Sequence, residues 1–81
     1  MVVNLKNIRQ REVHMLSARN QLQGTIKSVK LGTVMAEVVV KVGENEVVAA
    51  ITRGSAEQLK LKVGDTVRAV IKATEVMIAK D

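Results

Sequence analysis

Three short segments bring hydroxyls and cations to the edges of apolar strand patterns, with no carboxylate beside the hydroxyls. They are Ser17-Ala18-Arg19-Asn20-Gln21-Leu22-Gln23-Gly24, Ile51-Thr52-Arg53-Gly54-Ser55 and Ile71-Lys72-Ala73. Hydroxyl, guanidinium and ammonium groups donate hydrogen bonds, and such a set has little with which to ligate a bare metal cation or to hydrolyse a bond. A small, hard anion suits it. A tetrahedral dianion presents four oxygens that all accept, and burying one takes several donors with compensating charge, because an unpaired buried ion is very costly. Arg19 can give a forked pair of N–H bonds and Lys72 a compact second charge. Ser17, Thr52 and Ser55 add hydroxyl donors without bulk.

Other chemistry has little material. His14 is the only histidine and cysteine is absent, so catalytic triads, thiolate sites and histidine metal sites are not expected. Glu37, Glu44, Glu46, Glu57, Asp65 and Glu75 are dispersed, with no spacing that suggests paired acid–base work. No Gly-rich phosphate loop occurs, and Met35 and Met77 read as core or interface filler. The expectation is a protein that is not an enzyme, with no catalytic residue and no bare-cation site.

Strands must position these groups. Val34, Ala36, Val38, Val40 and Val42 alternate with Met35, Glu37, Val39 and Lys41, the period of two that marks a strand. Gly43-Glu44-Asn45-Glu46 punctuates a hairpin, and Val47 to Thr52 returns. Val67, Ala69 and Ile71 alternate in a later strand, and Val76 to Ala79 closes the pattern. Gly24 in the first strand suggests a bulge or a sharp bend. Ser55-Ala56-Glu57-Gln58 has the form of a capping box with Ser55 as N-cap, placing a short helix that Lys62-Val63-Gly64-Asp65 ends. A Ser55 cap would set an anion near free N–H groups. The expected fold is mainly β: a five-stranded, OB-like Greek-key barrel with one short helix between the third and fourth strands. Residues 1–15 read as an N-terminal arm with only sparse apolar positions, and residues 16–81 as the domain.

An 81-residue chain without cysteine or aromatic residues, yet 47% hydrophobic, has a thin aliphatic core. Such chains are often completed by association, and the apolar excess points to an oligomer. The formal charge is +5, with Lys6, Arg9 and Arg11 set against Glu12 in the first 14 residues; a positive field attracts nucleic acids and oxyanions alike. No apolar run approaches the length that spans a bilayer, and no secretory h-region is seen at the start. The expected location is the cytoplasm.

From about Leu16 to Lys80 the sequence resembles the molbindins of the Mop family, small molybdate- and tungstate-binding proteins with a TOBE/Mop-type domain. The signature Ser17-Ala18-Arg19-Asn20-Gln21-Leu22 with Gly24 carries the likeness. Ala36-Glu37-Val38, Leu59-Lys60-Leu61-Lys62-Val63-Gly64-Asp65 and Ile71-Lys72-Ala73-Thr74-Glu75-Val76-Met77-Ile78 follow in register. The resemblance implies the same barrel and a hexamer built as a trimer of dimers. It implies an oxyanion pocket at a subunit interface, lined by Ser17, Arg19, Lys72 and Ala73 of one chain with Thr52 and Ser55 of its partner. Ala73 would contribute its backbone N–H, and Ala36 could do the same. Each position also has a purely structural reading: a solvated arginine, a turn serine, an exposed strand lysine, a β-branched strand residue, a helix cap. The expected function is binding and storage of molybdate or tungstate, with no catalytic cofactor. The alternatives are a nucleic-acid-binding OB-like module, for which the chain lacks stacking aromatics, or an anion-sensing domain that regulates a partner protein.

Overall fold

The computed structural model describes residues 18–81; the N-terminal arm and Ser17 lie outside the described residues. The described residues fall into two compact units, one of Gln21–Ala69 and one combining residues 18–20 with Val70–Asp81. The elements are β1 (Asn20–Leu31), β2 (Met35–Val42), β3 (Asn45–Thr52), α1 (Arg53–Gln58), β4 (Thr66–Ile71) and a 3-10 turn at Ala73–Glu75.

β2 follows its sequence period. Ala36, Val38 and Val40 are 2–3% exposed, while Met35, Glu37 and Lys41 face solvent. It pairs antiparallel with β3 from Met35↔Thr52 to Val42↔Asn45. That register leaves Gly43 and Glu44 as a two-residue turn, with Gly43 at φ 60°, the positive angle such hairpin turns require. Ile26, Val38 and Val40 form the buried centre, with Val29, Val42, Ala49, Ile51, Leu61 and Val67 packed against it.

β1 is bulged at a place the sequence did not mark. Its pairing with β2 runs Thr25↔Lys41 and Ile26↔Val40, then resumes at Ser28↔Val39 and Val29↔Val38. Lys27 is the extra residue, so the inward positions run Ile26, Val29 instead of keeping strict alternation. The expected bulge at Gly24 is thus three residues away. Gly24 serves close approach instead: a Cβ there would overlap the Lys41 carbonyl oxygen and lie 2.8 Å from Val40 Cγ1.

The strand order is β3-β2-β1-β4, the spatial order of a Greek key. Ile26 N–H donates to Asp65 C=O at 2.9 Å and Gly64 N–H to Ile26 C=O at 2.9 Å. The turn Lys62–Asp65 is closed by Asp65 N–H on Lys62 C=O at 3.1 Å. Its third residue, Gly64, has φ 95°, as a type II turn demands.

Two expectations are corrected. The helix begins before Ser55: Thr52 is the N-cap and α1 is Arg53–Gln58. β3 carries Thr52 to its end in extended backbone, and the Thr52 hydroxyl is the oxygen that meets the third N–H of the helix, the geometry of a cap. The fifth strand is also missing among the described residues. After β4 the chain turns at Ala73–Glu75 and no strand follows. Val76–Ala79 has the apolar character of a strand but no ladder partner, and Met77 and Ile78 are 92% and 89% exposed. A backbone becomes a strand only by pairing its N–H and C=O groups.

Candidate anion-binding residues

Within the unit Gln21–Ala69, the fold gathers Thr52, Ser55 and Ala36. Thr52 ends β3 opposite Met35, and Ala36 stands one step along the same ladder opposite Ile51. Thr52 Oγ1 accepts the Ser55 backbone N–H at 3.1 Å and donates its own proton to Ser55 Oγ at 2.7 Å. A hydroxyl has one proton to give, so the pair retains a single outward donor, the Ser55 O–H. Both residues are exposed. The Ser55 N–H is used in the Thr52 cap, so Ser55 is not itself the cap that was expected to set an anion near free N–H groups. Ala36 is buried in the central strand, so its contribution is limited to backbone and shape.

The second unit holds Arg19, Lys72 and Ala73. Arg19 directly precedes β1, and Lys72 directly follows β4 as the residue that leads into the 3-10 turn. Both side chains are exposed. Neither enters an ion pair with another described residue, whereas Lys27 pairs with Glu46 and Arg53 with Glu57. The first bond of the turn runs from Glu75 N–H to Lys72 C=O at 2.9 Å. The Ala73 N–H lies ahead of that bond, outside the turn's own ladder.

Among the described residues no three His, Cys, Asp or Glu side chains come together as metal ligands. No helix there is long and apolar enough to cross a membrane. The sequence left one neighbour of the hydroxyl pair without a role, Arg53, whose guanidinium holds Gly32 C=O at 3.2 Å and Glu57 at 3.3 Å. Its place between two hydroxyl residues was the only available signal, and a strand-to-helix corner cannot be read from that.

A domain model described as TOBE matches residues 16–78. Molybdenum-pterin-binding protein 1 of Clostridium pasteurianum is 45% identical over 64 residues, which are 78% of this chain and 94% of that protein. The molybdenum transport protein ModE of Azotobacter vinelandii is 41% identical over 66 residues, 80% of this chain but 24% of ModE. Among solved structures, a molybdate-binding protein from Sporomusa ovata superposes with a TM-score of 0.78 at 46% identity, over 80% of this chain and 97% of that one. The cytoplasmic molybdate-binding protein ModG, with molybdate bound, aligns with a TM-score of 0.68 at 42% identity, over 72% of this chain and 42% of that one.

Proposed function

The chain belongs to the TOBE domain family, in its Mop-like branch, and from that premise we propose that it binds molybdate or tungstate without chemical turnover and stores the anion in the cytoplasm. The carrying observation is that the solved structures it resembles over most of the domain are molybdate-binding proteins, joined to a residue set made of donors and cations. Arg19 and Lys72 supply charge. Ser55 supplies a hydroxyl proton, Thr52 orients it, Ser17 adds a second hydroxyl, and Ala73 adds a backbone N–H with Ala36 behind. On this reading Ser17, Arg19, Lys72 and Ala73 of one subunit meet Thr52 and Ser55 of the partner subunit, within a hexamer arranged as a trimer of dimers. Storage needs only reversible binding, and no acid–base pair or nucleophile enters the reading.

Calorimetry with molybdate and tungstate tests it, alongside sulfate and a single-stranded oligonucleotide. Directed donors around one enclosed dianion are weakly screened by salt, whereas an oligonucleotide releases counterions and is lost steeply as salt rises. The expected result is oxyanion binding that persists at moderate salt and raises the melting temperature. Tight oligonucleotide binding at physiological salt, with no thermal response to either oxyanion, would overturn the storage reading in favour of a nucleic-acid module.

A further inference from the structure

Arg53 is the only cation inside Ile51–Ser55, and by chemistry alone it could serve an anion as well as Arg19. Part of its donor set is already engaged elsewhere. The Arg53 backbone N–H donates to Val34 C=O at 2.7 Å, Nη1 donates to Gly32 C=O at 3.2 Å, and Nε to Glu57 at 3.3 Å. The turn that receives two of these bonds is itself closed, since Gly32 N–H donates to Met35 C=O at 2.7 Å. The residue following the helix cap is therefore fastened through main chain and side chain to the β1–β2 connection, and through Glu57 to its own helix one turn on.

We infer that Arg53 is a positioning residue for the hydroxyl pair and not a ligand of the anion. By holding the corner between β3 and α1 against the Gly32–Val34 turn, it fixes Thr52 and Ser55 so that the Ser55 proton points outward. The inference depends on the oxyanion reading above. Two physical points favour a strut over a ligand. A guanidinium that already serves a carbonyl and a carboxylate has committed part of its donor fork. The adjacent Glu57 carboxylate also offsets its attraction for a dianion. The exposed Arg53–Glu57 pair adds little stability on its own, so its worth lies in orientation.

The two roles predict opposite signs at Glu57. If Arg53 were a ligand, Glu57→Ala would free the guanidinium and remove a repelling charge, and molybdate would bind more tightly. As a strut, losing Glu57 loosens the corner, and affinity falls. The experiment is molybdate calorimetry on the full chain for the wild type, Arg53→Ala, Glu57→Ala, Ser55→Ala and the Arg53→Ala/Ser55→Ala double variant. Ligand-free melting curves establish that each is folded. Arg53→Ala and Glu57→Ala should each weaken binding by about three- to tenfold. Arg53→Ala should cost nothing further once Ser55 is alanine, because its effect passes through that hydroxyl. Tighter binding by Glu57→Ala, full additivity in the double variant, or no effect of Ser55→Ala each overturns the inference while leaving oxyanion binding intact. A wild type that ignores molybdate overturns the underlying reading as well. If Arg53→Ala fails to fold, the sign at Glu57 decides alone.

Discussion

At the scale of single residues, what separates a ligand from a strut is which groups already hold it. Arg53 is held by a carbonyl and a carboxylate, whereas Arg19 enters no ion pair among the described residues. On the proposed reading Arg19 supplies both charge and a fork, and charged hydrogen bonds are each worth about 1.5–3 kcal/mol. Arg19→Ala is expected to cost roughly tenfold or more in molybdate affinity, with assembly unchanged. Unaltered calorimetric affinity in a correctly assembled variant would remove Arg19 from the site. The types of the candidate residues were legible in the sequence, because donors without neighbouring carboxylates select anions. Their state of commitment was not. That the Thr52 proton is given to Ser55 depends on a corner between strand and helix, and residue spacing alone does not reveal it.

At the scale of elements, two backbone positions make opposite demands. Gly24 of β1 lies against Lys41 of β2, and a methyl group would overlap a backbone carbonyl there. Gly24→Ala is expected to destabilise by about 2–3 kcal/mol, read as a lowered midpoint in urea; an unchanged midpoint would mean that the strands separate easily there. Lys60 is the reverse case, a side chain at φ 53° where glycine is usual. It closes α1 in a Schellman pattern, with Leu61 N–H on Ala56 C=O at 3.1 Å and Lys60 N–H on Glu57 C=O at 3.0 Å. Lys60→Gly should stabilise by about 1 kcal/mol by relieving the left-handed strain, seen as a raised melting temperature; a lowered one would mean that the lysine side chain contributes more than the strain costs. β2, β3, β4 and their turns were legible because alternation and glycine mark them. The bulge was not, since an exposed lysine beside Ser28 looks like any polar stretch. The helix start was misplaced by three residues because Ser55 and Gln58 imitate a capping box, while the true cap still belongs to the strand before it.

At the scale of the whole molecule, few of the described residues are buried and many large apolar ones are exposed. Among the described residues only Ile26, Ala36, Val38, Val40 and Ala56 are buried hydrophobics, while Val34, Val48, Leu59, Val63, Met77 and Ile78 are 62–92% exposed. A surface of that kind usually marks an interface. The proposed hexamer should appear in size-exclusion chromatography with light scattering as six times the chain mass at micromolar concentration. A monomer under those conditions would sink the shared pocket. The aliphatic excess that suggests association is visible in composition, but which strands and tails would carry it is not, because hydrophobicity says how much surface needs covering and not what covers it.

The bulge in β1 leaves an unexpected freedom. Ile26 opposes Val40 and Ser28 opposes Val39, with Lys27 set aside between them. Excising Lys27 would therefore join two correctly registered half-strands into one regular ladder, and no side chain would change face. A one-residue deletion in mid-strand ordinarily turns everything beyond it inside out; here it should remove only the local bend and the tether to Glu46. Cross-strand nuclear Overhauser contacts between Val29 and Val38 should survive it, and their loss would show that the bend is what keeps the two halves in step. In a lineage of such domains this is a position where the chain can shorten or lengthen by one residue without rewriting its core.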